Sequence, residues 1–141
     1  MSSEDPRIVE LHRRRAIAMG GGGPERVERH RARGRRTARE RLLQLFDPHS
    51  FQELGMFATA RIGDETERIA GDGVVTGFGM IDGRTVFAYA QDATVFGGSL
   101  GEMHGRKICQ VMDRAVEAGA PVIGLIDSGG ARIQEGIYGL A

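Results

Sequence analysis

The sequence predicts an α/β fold of β-β-α turns preceded by basic helices, and three observations carry that expectation. Val74-Val75-Thr76 and Phe78-Gly79-Met80-Ile81 lead into Asp82-Gly83, a hairpin signal, and Thr85 to Ala90 returns as the next strand. Leu100, Met103, Lys107, Ile108, Val111, Met112, Ala115 and Val116 then recur at helical spacing, with Gly119 at the stop and Pro121 beyond it. Pro121 to Ile126 is a β-branched apolar run that reads as a buried strand. Strand, helix and strand make a β-α-β crossover, expected to be right-handed.

Taken in order, Asp5-Pro6 opens a first helix with Ile8, Leu11, Arg15 and Ala18 on one side, and Gly20 to Gly23 end it as a flexible joint. A second basic helix runs from about Pro24 towards His30. A third starts near Thr37, where Glu40 three residues on completes a capping-box pattern, and carries Leu42, Leu43, Leu45 and Phe46 to a stop at Asp47-Pro48. Phe51 to Ala60 reads as a first extended segment, and Arg61 to Ile69 as a polar loop. The glycine-punctuated β texture begins at Gly71.

The 141 residues suit one domain with a core able to bury about two thirds of the unfolded chain's surface. Net charge is zero, yet residues 1–41 hold 12 Arg and 6 acids whereas 42–141 hold 7 basic residues and 13 acids. We therefore expect a basic helical arm over 1–41 and an acidic body over 42–141. No aromatic residues interleave with the arm's arginines to stack on bases, which argues against a nucleic-acid partner. The single cysteine, Cys109, excludes an internal disulfide, fits a reducing compartment and reads as a small hydrophobe in a helix core. No run reaches the length of a membrane span, and acids at Glu4, Asp5 and Glu10 interrupt the basic start, so the expectation is a soluble, cytoplasmic protein.

The chemistry-bearing stretch is Ile126-Asp127-Ser128-Gly129-Gly130-Ala131-Arg132-Ile133-Gln134-Glu135-Gly136. A buried strand ending in Asp-Ser-Gly-Gly turns sharply, and two residues without Cβ atoms let a ligand approach the backbone. The product is a row of N–H groups suited to a developing negative charge; the plainer reading is a glycine turn. Gly97-Gly98-Ser99-Leu100-Gly101 matches the nucleophile-elbow pattern between a strand and a helix. A hydrolase of that type needs an acid and then a histidine downstream. The only histidine after Ser99 is His104, ahead of Asp127, so that order fails. His12, His30 and His49 lack metal-ligand spacing, and no metal site is expected. Gly71-Asp72-Gly73 with Gly77 is not followed by a helix, so a hairpin explains it better than a nucleotide loop.

The eleven-residue stretch resembles the signature of biotin-dependent acyl-CoA carboxyltransferases, in particular the propionyl-CoA carboxylase β-subunit family. Gly34 to Arg41, Gly71 to Gly77 and Gln91 to Ser99 are similar to that family's earlier blocks, in its order, so the likeness covers the chain from about Gly20 onward. It implies a crotonase-like fold, a spiral of β-β-α units. It implies transfer of a carboxyl group from carboxybiotin, carried by a biotin carboxyl carrier on a partner domain or subunit with its biotin carboxylase, to the α-carbon of a short-chain acyl-CoA such as propionyl-CoA or acetyl-CoA. Two charges then need stabilising, on the thioester enolate oxygen and on the ureido oxygen of biotin, and no side-chain base is required.

On the same resemblance, Gly129, Gly130 and Ala131 are assigned as backbone donors to the thioester oxygen, and Phe96, Gly97, Gly98 and Ser99 as lining for the CoA channel, with a structural turn as the alternative. Arg132 either pairs with Glu135, the plainer role, or reaches a CoA phosphate. The basic arm either holds CoA phosphates or packs on a neighbouring subunit of a homo-oligomer. Family members run to several hundred residues, so residues 42–141 match only the opening portion of the first of two domains, and the isolated chain is expected to be inactive. A noncatalytic CoA-binding or assembly module is the alternative, as is a subunit of a related biotin-dependent decarboxylase.

Overall fold

The computed structural model describes residues 5–140. Residues 1–4 of the expected arm, Glu4 among them, and Ala141 lie outside that range. The chain runs α1 (Pro6–Met19), α2 (Pro24–Ala32), α3 (Ala38–Leu45), β1 (Gln52–Leu54), β2 (Val74–Ile81), β3 (Arg84–Gln91), α4 (Glu102–Ala118) and β4 (Val122–Leu125), and closes in 3₁₀ turns over Ile133–Leu140. One four-stranded sheet has the order β1-β2-β3-β4; the first two pairings are antiparallel, and β3 pairs with β4 in parallel across α4. This is the expected hairpin followed by a β-α-β crossover.

Local chemistry sets most element ends. Asp5 caps α1 by accepting from the Arg7 N–H at 2.8 Å. Thr37 and Glu40 form the capping box of α3: Thr37 Oγ1 accepts from the Glu40 N–H, and the Glu40 carboxylate accepts from the Thr37 N–H at 2.8 Å. Asp82 and Gly83 both take positive φ, 49° and 75°, which twists the two-residue turn with the strands it joins. Gly119 ends α4 in the left-handed region at φ 63°. Because α3 has only 8 residues, its cap matters more than usual. Thr37→Ala is expected to cost about 1 kcal/mol, read as a lower midpoint in urea unfolding.

The sheet is buried on both faces because its strand residues alternate. Val86, Ala88 and Ala90 of β3, with Val75, Ile123 and Leu125, pack on Ala38, Leu42 and Phe46 of the α3 segment. Phe87, Phe78 and Val122 face the other way, onto Val111 and Ala115 of α4. Phe46 and Phe51 stack with ring centroids 5.3 Å apart, and Gly79 leaves the room: a Cβ there would lie 2.8 Å from the Phe46 ring. α3 thus straddles the expected boundary at 41/42.

Four sequence expectations are corrected. The extended segment at Phe51–Ala60 is a strand only over Gln52–Leu54. The joint after α1 is packed rather than slack: the Gly22 N–H donates to Thr94 Oγ1 at 3.0 Å, and a Cβ on Gly22 would sit 1.9 Å from the Thr94 carbonyl oxygen. Cys109 is exposed, because the buried stripe of α4 runs through His104, Lys107, Ile108, Val111 and Ala115 and Cys109 falls beside it. Met112 and Val116 also lie off that stripe and are exposed. Among the described residues, no helix is long and apolar enough to cross a membrane.

Candidate active site

Two loops meet at the carboxyl ends of β3 and β4. Residues 92–101 follow β3 and residues 126–132 follow β4, and the backbone zips them together. The Gly129 N–H donates to Gly97 O at 3.0 Å, the Leu100 N–H to Gly130 O at 2.7 Å, and the Arg132 N–H to Leu100 O at 2.9 Å. Gly98 permits this approach. It has φ 67°, and a Cβ there would lie 2.0 Å from the Asp127 carbonyl oxygen. Phe96, Gly97, Gly98 and Ser99 therefore form one wall of a joint with Gly129, Gly130 and Ala131.

The three expected backbone donors are not equivalent. Gly129 spends its N–H on Gly97, and the Gly130 N–H donates to Ser128 Oγ at 3.1 Å. The Ala131 N–H has no acceptor among the described residues, because the parallel bridge from Leu100 uses the groups on either side of it. Ala131 lines a cavity of about 430 Å³ with Gln91, Leu100, Gly105, Ile126 and Gly130. A free, exposed N–H at the wall of a cavity is able to stabilise an oxyanion.

Beneath the loops lies a buried ionic cluster. Arg132 is 2% exposed and pairs with Asp72 at 2.5 Å and Glu135 at 2.9 Å. It also donates to Ser99 O at 3.1 Å and Asp72 O at 3.2 Å, and its guanidinium lies 4.9 Å from the Phe96 ring centroid. Of the two sequence readings for Arg132 the structure shows the pairing, with Asp72 added. Glu135 in turn accepts from the Glu102 N–H at 2.7 Å, fixing the first turn of α4.

Burial raises the Asp72 carboxyl above its ordinary range, against the lowering influence of Arg132. Burial likewise brings His104 down to about 4, and Lys107 to about 8 while its ammonium donates to Gly71 O at 2.7 Å and to Val74 O. Sequence reading missed Asp72, Gln91 and His104. The one available signal was a set of polar residues at positions whose neighbours are core, His104 and Lys107 on the buried stripe of α4 above all.

A second cavity, about 340 Å³, opens where α2 crosses the loop after β3 and is lined by Arg26, Arg29, His30, Arg33, Ala93, Thr94, Phe96 and Gly97. Arg29 pairs with Glu25, whereas Arg26 and Arg33 have no carboxylate partner among the described residues. The packed glycine joint is what sets α2 here, beside the 96–98 turn. No cluster of potential metal ligands occurs among the described residues.

Comparison with known proteins identifies the family. The family described as the carboxyl transferase domain matches residues 29–141. Over 95% of its length the chain is 58% identical to the propionyl-CoA carboxylase beta chain of Cereibacter sphaeroides, of which it covers 27%. It is 52% identical to the methylmalonyl-CoA decarboxylase subunit alpha of Veillonella parvula, over 100% of this chain and 28% of that protein. A crystal structure of transcarboxylase 12S, with methylmalonyl-coenzyme A and methylmalonic acid bound, matches 99% of the chain with a TM-score of 0.93 and 46% identity, over 28% of that chain. The chain thus spans little more than a quarter of the length of the relatives it matches.

Proposed function

Since the chain belongs to the carboxyl transferase domain family and shares its crotonase-like α/β fold, we propose that it forms the acyl-CoA side of a biotin-dependent carboxyltransferase. The observation that carries this reading is the free Ala131 N–H at the wall of the 430 Å³ cavity, held there by two interlocked glycine loops. The thioester of propionyl-CoA or acetyl-CoA lies in that cavity, and Ala131 donates to its carbonyl oxygen as negative charge develops there. Gly129 and Gly130 act as the frame that aims this donor. Phe96, Gly97, Gly98 and Ser99 form the adjoining channel wall, and Arg132 supports it from below.

Biotin, as carboxybiotin on a partner domain or subunit, supplies the carboxyl group; no residue of this chain is assigned to hold it. The partners are the biotin carboxylase and carrier components, and a homo-oligomer of the full subunit. Residues 1–41 are read as the arm and 42–141 as the opening portion of the catalytic domain. The arginine-lined cavity under α2 takes the CoA phosphates, because guanidinium forks pair with phosphate in two-point geometry. Likeness to a methylmalonyl-CoA decarboxylase subunit favours a second reading, removal rather than addition of the carboxyl group at the same site.

Calorimetry of propionyl-CoA binding tests the reading on this chain. Each of Arg26→Ala and Arg33→Ala is expected to weaken binding about tenfold, the loss of one charge-assisted hydrogen bond. Binding of the pantetheine thioester, which lacks the nucleotide, is expected to be insensitive to both. An absence of binding by the unaltered chain would sink the proposal.

A further inference from the structure

The residues that hold the root of the Gly129–Ala131 loop form a chain of hydrogen bonds whose direction is set from below. The His104 ring is fully buried, with Asp72, Arg132 and Lys107 around it and Gln91 facing it from β3. Its Nδ1 lies 3.0 Å from the Asp72 carbonyl oxygen, a group that only accepts, so Nδ1 carries the proton. With burial disfavouring the charged ring, Nε2 is then a bare lone pair that requires a donor. The Gln91 amide nitrogen stands 3.3 Å away and meets that need.

This fixes the amide the other way round on its far side. Gln91 Oε1 must face away from His104, and there it accepts from the Asp127 N–H at 3.1 Å. Turned over, the amide would set N–H against N–H at Asp127. The other end of the loop is held by the same cluster, through Arg132 on Asp72. A single backbone carbonyl, that of Asp72, therefore determines the His104 tautomer, the tautomer determines the Gln91 orientation, and Gln91 determines whether Asp127 is anchored.

Resting on the acyl-CoA reading above, we infer that Gln91 and His104 are positioning residues: together they hold Asp127 so that the glycine loop presents the Ala131 N–H to its ligand. Neither side chain transfers a proton or bonds the reacting atoms.

The test joins amide exchange of the loop to propionyl-CoA affinity in this chain. Gln91→Leu removes both bonds and is expected to speed amide exchange at Asp127 and Gly129 to Ala131 and to weaken binding about tenfold. Val111→Ala, a core truncation that lowers thermal stability without touching the relay, is expected to leave loop exchange and affinity as they are. Gln91→Glu keeps an acceptor for Asp127 and draws a proton onto His104 Nε2, so it is expected to restore affinity to within about threefold and to raise the His104 pKa. Nitrogen-15 shifts of the wild-type ring are expected to show Nε2 unprotonated. Loop exchange and affinity in Gln91→Leu equal to wild type, or equal losses in Val111→Ala, would overturn the inference, as would a proton on Nε2. Should the unaltered chain bind no propionyl-CoA, the functional reading fails, while the exchange comparison still decides whether the relay holds the loop.

Discussion

Arg132→Met is expected to destabilise the fold by about 3–5 kcal/mol at pH 7, the largest single effect in the chain. Methionine fills much of the volume, so the loss is electrostatic: Asp72 and Glu135 would be left as two buried carboxylates with no cation between them. Repulsion from Glu135 adds to burial at Asp72, and both act against its ionisation. The pH dependence follows in sign. Asp72 already has a folded-state pKa above its unfolded value, and loss of Arg132 raises it further. A carboxyl shifted upward favours the fold below its unfolded pKa, and that contribution is lost as pH rises through the folded pKa. The variant's deficit should therefore be smaller at pH 5 than at pH 7. Urea unfolding at the two pH values measures it. A deficit under about 1 kcal/mol, or one equal at both, would mean that the pairs do not hold the loop as described.

Ala131→Pro is expected to carry the largest functional effect. Proline removes the Ala131 N–H, which has no acceptor among the described residues, and leaves the Leu100 bridge intact, since that bridge uses Gly130 O and the Arg132 N–H. In a carboxyltransferase subunit carrying these residues, kcat/KM for carboxyl transfer should fall about 10²–10³-fold, the usual loss for one oxyanion donor. The Kd for propionyl-CoA should change little, because the interaction strengthens as charge develops on the oxygen. Ala131→Gly keeps the N–H and should remain close to wild type. Full activity in the proline variant would remove Ala131 from the site and return the role to Gly129 and Gly130.

Local signals in the sequence were reliable wherever the physics is local. Asp82-Gly83 specified a two-residue turn through positive φ at both positions, Thr37 and Glu40 specified a helix start through reciprocal hydrogen bonds, and Gly119 specified a helix end. Those cues, with the motif order, determined the α/β class, the hairpin, the crossover and the family. The glycines at 129 and 130 likewise marked where backbone and ligand meet. The signature string could not say which N–H remains free, because Gly97, 32 positions before Gly129, takes one of them across the joint.

Only the tertiary structure decided the rest. Asp72, Gln91 and His104 come from segments distant in sequence from Arg132 and Glu135, and all five are polar residues in buried positions, where a periodicity reading expects apolar ones. Helical spacing alone could not place the stripe of α4 to within one residue, so Cys109 and Met112 were expected inside and His104 was not. Burial converts such residues from surface charges into a hydrogen-bonded frame, since a buried polar group must find partners. Which partners it finds depends on how the hairpin, α4 and the last loop pack together. The sequence alone therefore determined the kind of fold and the loop that matters, and packing determined the donor, its support and the arginine cavity beside it.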